Sequence, residues 1–485
     1  MEWMRDETER GGKTLAGRIS RRTALRRAAE GAAAAAALTA LGGGVASAAS
    51  PKRQSGGTKA KVTLTVGLYQ STDQNTWKKI MQRAIPMFEK SHPGIAVQWL
   101  PEPPTTNIQE KLITMYAAGV MPDVIQDCCN DLPVFAAQGM LLNMEPYITR
   151  YWPKTWKSDF LASQIDAMYM THPVNAGQFA LPTYCGTMAI YYNVDRFKQH
   201  KVKLPDASWT FDDYSAAFEK LAVPAKRQWG AMLPWVDDSR FAAELLNPYG
   251  ARLVDPSNNM KCAVNTPQGL NAVTWYYDQV YVNKSVVPFN AGHWGAPTFG
   301  VLPEQGIFGS GLVACMGEGS WLLSRVAQAV GKSFQWNVAP PPLGPVRRGG
   351  LSTTDGYAIN SKTKHPEAAW ELVSWFTGNE FSKLLIEMAF LQPSRKSLLP
   401  YYETYARQAY PPLKTIDLNA FTDGITKGWA TPEQLFRYES QAMTAYQAVM
   451  TQSLWAITTT MQPKQIVTQL SQQVDASQTQ AAAGH

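Results

Sequence analysis

The chain has little cysteine, little charge and no long apolar run. Five cysteines in 485 residues are an odd number, and of these only Cys128 and Cys129 lie close together. Neither a disulfide framework nor a Cys-x-x-Cys metal or redox site is therefore implied. Only 17% of residues are charged, against 45% hydrophobic, which excludes a disordered chain or a coiled coil. No fixed-period repeat is present, which excludes a solenoid or propeller. No run approaches the ~20 strongly apolar residues of a membrane span. What is abundant is aromatic: 16 Trp, 20 Tyr and 17 Phe supply large cores and flat binding surfaces, in a length that suggests two or three folding units.

The formal charge of +7 is unevenly placed. Eight basic side chains fall before residue 49, and Lys52, Arg53, Lys59 and Lys61 follow closely. The body from residue 62 carries no positive excess, so nothing asks for nucleic acid or an anionic membrane. Residues 1–48 read as a signal peptide. A basic stretch from Arg18 is followed by a weakly apolar run from Ala32 to Leu41 and an Ala-x-Ala at Ala46 to Ala48. Arg21-Arg22 after Ser20 resembles a twin-arginine export signal, with Ala24 where a Phe is common. No cysteine stands near the cleavage site to accept a lipid, so the mature protein is expected unanchored, in a periplasm or at the extracellular face. Residues 49–61, rich in Pro, Gly, Ser, Lys and Arg, read as a flexible tether.

The body opens on Val62, Leu64, Val66 and Leu68 in alternation, the period of a strand with one buried face. Trp77, Ile80, Met81, Ala84 and Phe88 then recur at three- and four-residue spacing, predicting a helix that ends at Ser91-His92-Pro93-Gly94. Strands over 95–100 and 123–126 with a helix over 107–118 between them continue the series, and a second strand–helix series runs from about 189 to 341. Such alternation predicts α/β architecture with parallel sheets. Ligands of such sheets bind beyond the carboxyl ends of the strands. The Gln-rich stretch 462–480 reads as a helix fraying into a polar tail.

A set of local motifs then appears in a telling order. Phe88-Glu89-Lys90-Ser91-His92-Pro93-Gly94-Ile95, Ala117-Ala118-Gly119-Val120-Met121-Pro122-Asp123-Val124 and Leu141-Leu142-Asn143-Met144-Glu145-Pro146-Tyr147 open it. Ile190-Tyr191-Tyr192-Asn193-Val194-Asp195, Trp209-Thr210-Phe211-Asp212-Asp213-Tyr214, Gly317-Glu318-Gly319-Ser320-Trp321 and Gln392-Pro393-Ser394-Arg395 continue it. Over residues 62–475 this resembles family 1 extracellular solute-binding proteins of ABC importers, the maltose-binding-protein-like group.

The resemblance implies a two-lobe periplasmic-binding-protein fold of type II, each lobe a mainly parallel sheet flanked by helices, joined by a hinge of several strands. It assigns 62–183 and 354–394 to lobe I, and 184–353 and 395–485 to lobe II. Crossings are expected near Leu181 to Thr187, near Gly350 to Gly356 and around Gln392 to Pro400. It also implies a monomer that captures a sugar or oligosaccharide between the lobes and delivers it to permease transmembrane subunits, with no catalysis, cofactor or metal.

A sugar presents apolar C–H faces and a rim of hydroxyls, so its site needs aromatic platforms with fixed donors and acceptors. Trp321, on a turn after a strand, is the foremost candidate, and the matching Trp of the resembling family stacks on ligand. Trp235, Tyr184 at the first crossing and Trp294 in its glycine-flanked loop are further candidates. Tyr69 and Gln70 follow the first strand, and Asp127 and Asn130 the third. Those two are read equally well as helix caps. Asp355, Gly356 and Tyr357 lie at the second crossing, and Arg395 either reaches ligand or clamps the hinge. A phosphorylated solute stays open, because Arg347-Arg348 and Arg395-Lys396 offer cations. A glycan-cleaving enzyme would need two opposed carboxylates, for which Glu318 and Asp355 are available. Cys128 and Cys129 are expected near the cleft, as two thiols if folding precedes export or as an eight-membered vicinal disulfide formed outside the cytoplasm, and Cys185, Cys262 and Cys315 as buried small hydrophobes.

Overall fold

A computed structural model describes residues 62–68, 74–101, 108–128, 131–170, 176–237, 240–292, 304–409 and 411–483. The export segment and the tether lie outside them. β1 (Val62–Leu68) leads into α1 (Gln74–Ser91), then β2 (Ile95–Leu100), α2 (Ile108–Ala117) and β3 (Val124–Cys128). The spacing read from α1 is the packing observed: Trp77, Ile80, Met81, Ala84 and Phe88 are all buried against Leu64 and Val66 of β1. β1 pairs in parallel with both β2 and β3.

The middle of the sheet differs from the parallel arrangement that the strand–helix alternation predicts. β4 (Ala180–Asn193) runs through both lobes, and all fourteen of its residues are buried. After β5 (Trp229–Met232), β6 (Val313–Gly319), β7 (Trp336–Ala339), β8 (Ser352–Ile359) and β9 (Gln392–Pro393), the order is β2-β1-β3-β8-β4-β6-β5, with β7 and β9 also on β4. β8 is antiparallel to β3 and β4, and β6, β7 and β9 are antiparallel to β4. The sheet is therefore mixed, because the chain returns through the lobe junction instead of crossing over a helix each time.

Separate apolar clusters define the two sides of β4. Lobe I is built on Leu64, Val66, Phe88, Tyr357, Phe376 and Phe381, and lobe II on Phe197, Phe211, Trp235, Tyr276, Tyr446 and Leu470. The stretch around the third expected crossing, Gln392 to Pro400, makes its contacts on the lobe I side. Leu161 N–H donates to the Ser394 carbonyl at 2.9 Å, and Leu398 and Tyr402 cluster with Ile386, which keeps 395–409 with lobe I. At the following 3₁₀ turn, Pro411–Thr415, Asn337 Nδ2 donates to the Thr415 carbonyl at 3.2 Å.

The last helix runs Pro463–Ala483 without the expected fraying, because Gln478 is fully buried. Its amide accepts from Tyr438 N–H at 3.1 Å and donates to the Tyr438 carbonyl at 2.8 Å. Among the described residues no helix is long and apolar enough to cross a membrane.

Candidate functional site

The end of β3 meets the start of β8 at the lobe junction. Gly356 pairs with Asp127 and Asp355 with Cys128, and a bulge separates Asp355 from Gly356 against β4. Glycine is required there, since a Cβ would lie 2.4 Å from the Leu181 carbonyl oxygen. Asp127 is fully buried, and Gln126 Nε2 donates to Tyr184 OH at 3.0 Å and to Asp355 Oδ1 at 3.4 Å. The Tyr184 ring is backed by Trp77 at 5.9 Å. Desolvation pushes the Asp355 carboxyl up to about 7, against a lowering contribution from its bond to Tyr184.

Across the junction, lobe II presents Trp321 just after β6. Its partly buried indole lies flat on backbone: a Cβ at Gly186 would meet the ring at 2.5 Å and one at Gly319 at 2.2 Å. Arg240 stands 5.9 Å from the ring centroid. Its guanidinium pairs with Asp237 and, at 3.3 Å, with Glu318, all three side chains being at most 9% exposed. Burial works against the Arg240 charge, and the two carboxylates more than offset it. Glu318 also accepts from Gly319 N–H at 3.2 Å. One turn on, Glu244 accepts the Leu351 N–H at the start of β8, and burial pushes its carboxyl up to about 8. The π-helical segment Phe241–Leu246 thus ties the indole platform to a hinge strand.

Both raised carboxyls carry a pH consequence. The folded state holds their protons up to about pH 7 and about pH 8, while the unfolded chain releases them near 4. Folding therefore loses stability as pH rises from about 4 to about 8. Asp355→Asn and Glu244→Gln are expected to gain stability relative to wild type at pH 8 and to lose that advantage at pH 4. Urea unfolding at the two pH values checks this.

The remaining candidates are dispersed. Trp235 is 1% exposed in the lobe II core, with Phe211 and Trp275 each 6.0 Å away. Tyr357 is 0% exposed and stacks on Phe376 at 4.3 Å. Neither side chain offers surface to a ligand, because each fills a lobe interior that its place beside a strand end did not reveal. Arg395 is occupied within lobe I by Asp159 at 3.0 Å, the Thr377 carbonyl at 2.8 Å and the Phe160 ring at 4.1 Å. Arg348 is held by the carbonyls of Pro341 and Ala207, and Arg347 by that of Trp429. Cys185, Cys262 and Cys315 are free and buried. Tyr69, Gln70, Asn130, Trp294 and Cys129 lie outside the described residues. Among the described residues no group of three His, Cys, Asp or Glu is placed to hold a metal.

Sequence reasoning missed Asp237, Arg240 and Glu244. Their only signal is three charges at three- and four-residue spacing among Val236, Phe241, Ala242 and Leu245.

A bridge between lobes lies at the rim. Ser440 Oγ donates to Gln109 Oε1 at 2.7 Å, and Gln109 Nε2 donates to Asp131 Oδ1 at 3.0 Å.

Residues 70–382 match the family model described as bacterial extracellular solute-binding protein. The chain belongs to that family. It is similar to the mannitol-binding protein of Pseudomonas aeruginosa, 25% identical over 379 residues that cover 74% of this chain and 80% of the relative. Among solved structures it resembles an ABC substrate-binding protein of Listeria monocytogenes in complex with cycloalternan. The TM-score is 0.69 at 20% identity, over 86% of this chain and 98% of that one. It also resembles a receptor of Streptomyces glaucescens solved unliganded and with acarbose, with TM-score 0.67 at 19% identity, over 85% and 97%. The two-lobe architecture of this solute-binding protein is that of these neighbours.

Proposed function

We propose that the protein is the extracytoplasmic binding component of an ABC importer, and that it captures a neutral sugar or oligosaccharide between its lobes. The observation that carries this reading is the partly buried Trp321 indole, seated against Gly186 and Gly319 at the lobe junction. An indole face takes the C–H side of a pyranose. Relatives and structural neighbours that bind mannitol, cycloalternan and acarbose support the same class. Ligand touching both lobes favours closure by its differential affinity.

A phosphorylated solute is disfavoured because Arg240, the cation beside Trp321, is already paired with Asp237 and Glu318 and offers a phosphate no free countercharge. Binding is favoured over glycan cleavage because Glu318 is 0% exposed and held by Arg240, leaving it poorly placed to serve as acid or nucleophile. Export by the twin-arginine-type signal and a monomeric state complete the proposal, with permease transmembrane subunits as partners. A thermal-shift screen of the purified protein against neutral sugars, polyols and their phosphates tests it. Stabilisation by a neutral sugar is expected, and stabilisation by phosphorylated compounds alone would refute it.

A further inference from the structure

The back of the hinge holds a polar cluster that ligand capture does not use. β9 pairs with β4 so that Gln392 stands opposite Cys185, and Ser394 N–H donates to the Thr183 carbonyl at 3.3 Å. A helix, Leu399–Ala409, covers this point through Tyr402. The Ser394 hydroxyl hydrogen-bonds the Cys185 thiol, and the Tyr402 phenol lies within electrostatic reach of that thiol. Exposure is 1% at Thr183, 1% at Gln392, 0% at Ser394 and 0% at Tyr402. Yet Thr183 Oγ1, Gln392 Oε1, Gln392 Nε2 and Tyr402 OH have no hydrogen-bond partner among the described residues.

Four such atoms, on β4, β9 and the helix that covers them, are more than a folded interior ordinarily leaves unpaired. Each buried polar group left unmade costs a sizeable part of a marginal folding stability. We propose that this space is a hydration site, in which ordered water molecules enclosed behind the hinge bridge Gln392, Tyr402 and Thr183.

The chemistry of the set selects water over an ion. Two hydroxyls both donate and accept, and the Gln392 amide contributes one acceptor and two N–H donors. A cation would leave the amide donors unmet, and an anion would find no cation beside it. The titratable groups in electrostatic reach of this cluster are the Cys185 thiol, Asp355 and Glu403. Water satisfies donors and acceptors together and typically makes about three bonds in such a place. Bonds relayed by water re-form with new partners as strands shift, so β9 can move on β4 during lobe closure without stranding a side chain.

The sign of a stability change tests this. Were the groups truly orphaned, removing them would stabilise the fold, whereas removing a group that holds water strands that water and destabilises. Tyr402→Phe and Thr183→Val are each expected to lower Tm by about 1–3 °C. A crystal structure of the full mature protein near 1.5 Å resolution is expected to show enclosed water bonded to the Gln392 amide and at least one of the hydroxyls. The proposal is overturned if the two variants match or exceed wild type in Tm. It is overturned equally if the crystal shows these side chains bonded directly to one another, or an ion at metal-ligand distances.

Discussion

Trp321→Ala is expected to weaken sugar binding by about 30- to 1000-fold, or roughly 2–4 kcal/mol, the range of a buried aromatic anchor. The estimate rests on position. The indole is held on two glycines, so its plane is set by backbone and not by a mobile loop, and little entropy is lost when a sugar ring settles on it. Trp321→Phe keeps a smaller flat surface and is expected to fall between wild type and alanine. Gly186→Val would drive two methyl groups into the indole and is expected to reduce affinity although it touches no ligand. Titration calorimetry of the three variants with one sugar gives the ranking. Equal affinity in wild type and Trp321→Ala would remove the platform from the site.

Arg240→Met is expected to destabilise the fold by about 3–5 kcal/mol, the loss typical when one partner of a buried ion pair is removed. Asp237 and Glu318 would be left buried beside Glu244 with no countercharge. Carboxylates in that position take up protons, so the variant is expected to recover part of its stability between pH 7 and pH 5. The double variant Arg240→Met with Glu318→Gln should be more stable than Arg240→Met alone, because one unpaired charge is gone. Urea unfolding at pH 7 and pH 5 measures both effects. Because Glu244 holds the Leu351 N–H, loosening this cluster should also loosen the root of β8 and weaken ligand binding.

The sequence made the edges of the molecule legible and its middle less so. β1 could be read because one of its faces is solvent-leaning, and α1 because five apolar residues line a single face. β4 could be read only in pieces, as a crossing at Leu181 to Thr187 and the opening of the second strand–helix series near residue 189, because all fourteen residues are buried and leave no alternation, while Pro182 and Gly186 look like breakers. The anchoring of Arg395 to Asp159 joins residues 236 positions apart, which no local pattern reveals. Trp321 stands out as a candidate through its Gly-Glu-Gly-Ser-Trp motif, and Tyr184 and Asp355 through their place at expected crossings. Arg240 was not, because Asp237, Arg240 and Glu244 look like the polar face of a surface helix, and only packing of β6 and the start of β8 buries them. Trp235 and Tyr357 show the opposite failure: aromatic residues beside strand ends are as easily core as cleft.

The most direct test of the central claim is isothermal titration calorimetry of the purified protein with matched neutral and phosphorylated oligosaccharides. Saturable one-to-one binding of a neutral oligosaccharide, lost or strongly weakened in Trp321→Ala, is the predicted result. Binding confined to the phosphorylated compounds, or neutral-sugar binding unaffected by Trp321→Ala, would contradict it.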